Sequence, residues 1–209
     1  MTEPNTRVEI DRSHLLLSAA WMAVVLGAVM QVLAVLAAGS PSLAALATET
    51  VQKVSWSTLV CTGLAIGATA ARSRPIWTGL AGLIAAPTAF LVARTLQKSL
   101  AQALSVTAGG PPMDLVILVM AKAIEYGLFG VAIAWLLQRR SSAIACAAIG
   151  LLFGVAMAGF VLLYGQSHPP VVAPAAAVVV ARSINEIVFP VGCALVLYAS
   201  DHVGRRMSA

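Results

Sequence analysis

Long apolar runs divide this chain, and they constrain its fold more than any other feature. The first run, residues 15–38, has Ser18 and Gln31 as its polar side chains. About 20 predominantly apolar residues in a helix cross a bilayer, so this run is long enough to span one. Charged residues make up 10% of the sequence, whereas a soluble domain carries about a quarter. A water-soluble surface cannot be built from so few charges, and the chain is predicted to be an integral membrane protein.

Short polar or turn-forming segments separate about six such runs. The predicted spans are 15–38, 54–71, 76–93, 115–137, 143–164 and a sixth that begins within 171–180 and ends at Ser200. Ser40-Pro41 is typical of a helix start and predicts that the second helix begins well before its apolar part. Residues 94–108 either extend the third helix or form a short interfacial helix. The predicted fold class is therefore all-α, a polytopic transmembrane helix bundle with about six spans.

The first run is predicted to be a retained helix and not a cleaved signal peptide. It is longer than the apolar region of a signal peptide, and Glu3, Glu9 and Asp11 precede it. The predicted organisation is a cytoplasmic tail over residues 1–13, a transmembrane domain over 14–200 and a second cytoplasmic tail over 201–209.

The distribution of basic residues predicts which way the helices are oriented, because Lys and Arg beside helix ends resist translocation. With six spans, one side of the membrane receives Arg7, Arg12, Arg72, Arg74, Arg139, Arg140, Arg205 and Arg206. The other side receives Arg94 and Lys98. This partition predicts a multi-pass protein of a bacterial-type inner membrane with both termini in the cytoplasm.

The polar and turn-forming segments between the spans also divide the chain into three helical hairpins of similar length. The second helix of each hairpin carries one basic residue near its outer end: Lys53, Lys122 and Arg182. We interpret this spacing as a threefold repeat of helical hairpins.

Charged side chains inside the spans predict a polar site. A charge within a span costs on the order of 2.5 to 3.5 kcal/mol on insertion scales, so each needs a partner or a use. Three pairs are spaced to meet on one helical face, namely Glu49 with Lys53, Lys122 with Glu125, and Arg182 with Glu186. The candidate binding residues are Lys53, Trp56, Lys122, Glu125, Tyr126, Arg182, Asn185 and Glu186. The alternative is that the basic residues reach the interface and the acids only neutralise them.

No sequence motif indicates an enzyme, a cofactor or a metal. The chain lacks HExxH, GxSxG, a P-loop and a GxGxxG in a strand context. Cys61, Cys146 and Cys193 are widely separated in apolar runs, and we interpret them as small buried hydrophobic residues. The net charge of +5 is spread singly or in pairs, without the basic face that binds nucleic acid.

These features favour a transport or channel-type protein that moves or binds a small polar or ionic solute between its even-numbered helices. The competing interpretation is a non-catalytic membrane subunit that scaffolds a larger complex, for which small-residue helix faces and short loops suit equally well. The expected partners are the lipid bilayer and either other membrane subunits or further copies of the chain.

Overall fold

The computed structural model describes residues 4–39, 41–70, 74–107, 114–168 and 175–207. These residues form six α-helices without strands. The helices are α1 (Pro4–Ala38), α2 (Leu43–Ala70), α3 (Pro75–Ala103), α4 (Leu115–Gln138), α5 (Ala143–Ser167) and α6 (Ala176–Met207). The predicted all-α bundle of about six spans is confirmed.

Five of the described helices are long and apolar enough to cross a membrane. They are α1 over Ser13–Ala38, α3, α4, α5, and α6 over Ala176–Val203. The remaining helix, α2, is long enough but more polar, because Glu49, Gln52 and Lys53 fall in its first half and several Ser and Thr residues follow. It packs against α1, α3 and α6, and its three polar residues line a cavity between the helices.

The helix boundaries differ from those predicted mainly at the ends of the chain. α1 begins at Pro4 and α6 continues to Met207, so both predicted tails are largely helical. Residues 94–103 continue α3 without a break, which confirms the helical extension. The turn signals at Ser40, Arg72-Ser73, 109–112 and 169–170 lie outside the described residues.

Local chemistry fixes several helix ends. The Asp114 carboxylate accepts hydrogen bonds from Val116 N at 2.9 Å and Ile117 N at 3.3 Å, which satisfies two free amides at the start of α4. The Ser142 hydroxyl caps α5 in the same way through Ala145 N. Gly39 ends α1 with a φ of +85°, a left-handed conformation that glycine adopts without strain.

The helices form a ring in chain order, closed by contact between α1 and α6. α2 and α4 each also contact α6 across the bundle, so the even-numbered helices meet inside it. Of the consecutive helix pairs, α4 and α5 pack against each other least extensively. Their contact is held by Phe129 against Phe153 and by Leu118 with Met157.

Small residues on the inner faces bring the helices together. A Cβ on Gly82 would lie 2.1 Å from Tyr126 O, and one on Gly63 would lie 2.5 Å from Ala85 Cβ. Large aliphatic side chains instead face outward, as Leu36, Leu43 and Ile144 do with about four fifths of their surface exposed. Small residues inside and large apolar residues outside are typical of helices packed within lipid. The chain is an integral membrane protein.

Candidate functional site

One cavity of about 490 Å³ opens between the helices. It lies in the half of the bundle that contains the α1–α2, α3–α4 and α5–α6 connections, because its lining comes from the ends of the odd helices and the starts of the even ones. In the predicted topology this is the outer half.

Seven of the eight predicted binding residues line this cavity. They are Lys53, Trp56, Lys122, Tyr126, Arg182, Asn185 and Glu186. The eighth, Glu125, is not in the lining but bonds directly to Lys122. Residues separated by more than 130 positions in the chain are therefore brought to one place, as expected if the even-numbered helices face each other.

Lys122 is the centre of a buried charge cluster. Its Nζ donates to Glu125 Oε2 at 2.8 Å within α4 and also to Glu186 Oε2 on α6. The side chains of Lys122 and Glu125 are 8% and 5% exposed. One ammonium group thus serves two carboxylates and ties α4 to α6.

The predicted pairing of Arg182 with Glu186 is wrong. Over the described parts of the chain, the ion pair that Glu186 makes is with Lys122 on the neighbouring helix. Spacing along one helix made Arg182 the expected partner, but the close approach of α4 to α6 brings a second cation to the same carboxylate.

Lys53 takes part in a smaller polar cluster between α1 and α2. Its Nζ donates to Gln31 Oε1 at 2.7 Å and lies 3.8 Å from Glu49 Oε2. Gln31 Nε2 in turn donates to Glu49 Oε2 at 3.4 Å. Gln31 therefore makes the helix-to-helix hydrogen bond expected of a lone polar residue in a span.

An aromatic cluster forms the inner end of the cavity. The Trp56 ring lies 5.7 Å from Tyr126, 5.8 Å from Phe189 and 6.1 Å from Phe90, centroid to centroid. Tyr126 also contacts Phe189 at 6.0 Å in an edge-to-face arrangement. The candidate residues Trp56 and Tyr126 thus belong to a four-ring surface. Lys53, Lys122 and Glu186 lie about one turn further toward the opening, and Arg182 about two turns.

Sequence reasoning missed the contribution of α3. Arg94, Gln97 and Phe90 all line the cavity. Residues 94–108 were predicted either to extend the third helix beyond the bilayer or to form a short interfacial helix, and the site was expected on the even-numbered helices alone. The available signal was the spacing of Phe90, Arg94 and Gln97 by four and three residues, which puts them on one helical face.

Two cysteines that are distant in the sequence lie in contact. Cys61 Sγ and Cys193 Sγ are 3.2 Å apart, and both side chains are fully buried. The interpretation of the three cysteines as small buried residues is confirmed, and the contact between two of them arises because α2 and α6 meet just beyond the aromatic cluster. Both remain free thiols, as does Cys146.

No group of three or more His, Cys, Asp or Glu side chains within the described residues is placed to hold a metal ion. No family model matches the chain, and no curated protein or solved structure is significantly similar to it.

Proposed function

We propose that this chain is a membrane carrier that binds a small polar or ionic solute in the cavity between α2, α4 and α6 and moves it across the bilayer. The observation that supports this most is the Lys122–Glu125–Glu186 cluster, a set of nearly dehydrated charges at the wall of an open cavity. Ion pairs in such surroundings gain little over apolar side chains of the same volume. Helix packing alone does not explain why these charged residues are present, whereas binding of a polar or ionic solute does.

The cavity has the character of a ligand site. Its volume falls within the range of about 300 to 1,000 Å³ that is usual for small-molecule pockets. Its walls combine an aromatic surface with polar groups that converge from four helices, α2, α3, α4 and α6. A scaffold subunit needs helix surfaces for its partners but no such cavity.

Reconstitution tests the proposal. Purified chain in liposomes on a solid-supported membrane should give transient currents when one class among amino acids, organic acids, amines and inorganic ions is applied. The variant Lys122→Met/Glu125→Leu/Glu186→Leu removes the whole cluster and should abolish the current while the protein stays folded. Replacement of Lys122 and Glu125 alone would leave Glu186 without its lysine.

Lys98→Met is the matched control, because Lys98 is an exposed cation on α3 outside the cavity lining. It should leave the current unchanged. A chain that responds to no solute class but co-purifies with another membrane protein at fixed stoichiometry would contradict the carrier proposal and favour the scaffold.

A further inference from the structure

The basic residues of the cavity differ in how they are neutralised. Lys122 faces two carboxylates, and Lys53 faces Glu49 and Gln31. Arg182 also lines the cavity but makes no hydrogen bond or ion pair with any residue that the structure describes. Its guanidinium group is a planar set of donors suited to a carboxylate.

The charge balance around the cavity is positive. The described lining holds the cations Lys53, Arg94, Lys122 and Arg182 and the anions Glu49 and Glu186. Adding Glu125 behind Lys122 gives four positive charges against three negative ones, a formal sum of +1. Lys122 holds both Glu125 and Glu186, and Lys53 lies beside Glu49, so Arg182 is a cation of the lining that pairs with no carboxylate among the described residues.

Gln97 supplies a second polar group with an unmet requirement. It lines the cavity, it is 4% exposed, and its Oε1 atom accepts no hydrogen bond from the described part of the protein. A buried carbonyl oxygen without a donor costs about 1 to 3 kcal/mol. An N–H or O–H group on a bound molecule would remove that cost.

The aromatic cluster completes the set of contacts. Trp56, Phe90, Tyr126 and Phe189 present ring faces and edges at the inner end of the cavity. Such a surface favours a flat, unsaturated body, because aromatic pairs gain energy in stacked and edge-to-face contacts beyond that of area burial.

We infer that the solute is an organic anion with a planar unsaturated body and an N–H or O–H donor, whose carboxylate binds Arg182 and whose donor binds Gln97. This inference rests on the proposed function and names the solute class for the same cavity. The volume of about 490 Å³ accommodates one or two fused rings with an acidic side chain.

Four probes separate these features. Indole-3-acetate has the ring, the carboxylate and the N–H group. 1-Methylindole-3-acetate lacks the N–H group, tryptamine replaces the anion by a cation, and acetate lacks the ring. Isothermal titration of the purified full-length chain in detergent should give the tightest binding for indole-3-acetate, and the thermal midpoint followed by circular dichroism should rise with it.

Two variants test which residue binds the carboxylate and which binds the N–H group of the solute. Arg182→Met should weaken indole-3-acetate binding by about tenfold or more, as expected for loss of a charged hydrogen bond. Gln97→Leu should weaken indole-3-acetate by about fivefold and leave the 1-methyl analogue unchanged. The matched controls are Arg139→Met, which removes an arginine stacked on Trp135 at the other end of α4, and Gln102→Leu, an exposed glutamine on α3.

Three outcomes would overturn the inference: tryptamine binding as tightly as indole-3-acetate, equal effects of Arg182→Met and Arg139→Met, or no binding of any anion. If tryptamine binds and the variant Lys122→Met/Glu125→Leu/Glu186→Leu abolishes its binding, the cavity binds a cationic solute, and the proposed function stands. If no probe binds and no solute class produces a current in liposomes, both proposals fail.

Discussion

Lys122 illustrates how much depends on one side chain when charges are enclosed in a bundle. Its ammonium group is the cation that Glu125 and Glu186 share, so it acts on two helices at once. Removing it alone leaves two carboxylates in a poorly hydrated setting, whereas removing all three groups leaves none.

We expect Lys122→Met to destabilise the fold by about 3 to 5 kcal/mol, the usual effect of breaking a buried pair. The triple variant Lys122→Met/Glu125→Leu/Glu186→Leu should recover most of that loss. Thermal unfolding in one detergent, followed by circular dichroism, measures both. Lys53→Met is a suitable comparison because Glu49 is 43% exposed and stays hydrated. Equal losses for Lys122→Met and Lys53→Met would contradict the central role of Lys122.

Two glycines of α5 make a matched pair for packing. A Cβ on Gly154 would lie 2.7 Å from both the Cα and the carbonyl oxygen of Ile187 on α6, while one on Gly159 would meet nothing within 4 Å of the described structure. We expect Gly154→Ala to destabilise the protein by about 1 to 3 kcal/mol through overpacking. Gly159→Ala should be neutral or stabilising, because alanine favours helix over glycine. The denaturation midpoints of the two variants decide this, and equal midpoints would refute the α5–α6 contact.

The identity of the site residues was more predictable than their partners. A charge in an apolar run stands out in the sequence, so Lys122, Glu125 and Glu186 could be chosen without a structure. Their pairing depends on the distance between α4 and α6, which no spacing within one helix encodes. Gln97 was missed for a related reason, since a neutral amide in a segment thought to leave the bilayer carries no such signal.

At the scale of helices, the crossing of α2 and α6 is the contact most open to direct test. Cys61 and Cys193 bring their sulfur atoms within 3.2 Å where the two helices meet. Diamide should oxidise them to an intramolecular disulfide, two thiols giving one S–S bond while the azo group of diamide takes up two hydrogens. Mass spectrometry of peptides after alkylation of the remaining thiols should show the 61–193 link in wild type and in Cys146→Ala. A link from Cys146 to either residue, without the 61–193 link, would place the helices differently.

The aromatic cluster relates the even-numbered helices to each other. Trp56, Tyr126 and Phe189 touch, one from each helix. Lys53 precedes its ring by three residues and Lys122 by four, whereas Arg182 precedes Phe189 by seven. At about 1.5 Å per residue, Arg182 lies roughly one turn further out than Lys53 and Lys122. Superposition of the three hairpins stays a prediction.

For the molecule as a whole, the orientation in the membrane is a prediction that rests on the partition of basic residues. Ser141 follows Arg139 and Arg140 in the α4–α5 connection, which is predicted to face the cytoplasm. In a background without the three native cysteines, Ser141→Cys should react with a thiol reagent from the cytoplasmic side only. Ser73→Cys should behave in the same way. Labelling of either cysteine by an impermeant reagent outside intact cells would contradict the predicted topology.

The fold itself was largely predictable, because backbone groups in lipid must bond within their own helix and long apolar runs leave few alternatives. Six apolar runs could be found in this way, and Ser40-Pro41 also predicted that α2 begins before its apolar part. The length of α1 and α6 at the chain ends was not predicted, since a helix outside the bilayer core needs no apolar composition.

The polarity of α2 has a consequence for how the chain is made. During synthesis each helix partitions between the translocon and lipid according to its own composition, and a segment with Glu49, Gln52 and Lys53 partitions poorly alone. Lys53 and Glu49 gain hydrogen bonds to Gln31 when α1 is beside α2. We therefore expect α2 to leave the translocon together with α1, as a preformed hairpin, so that the first committed step of biogenesis already joins two of the helices that line the cavity.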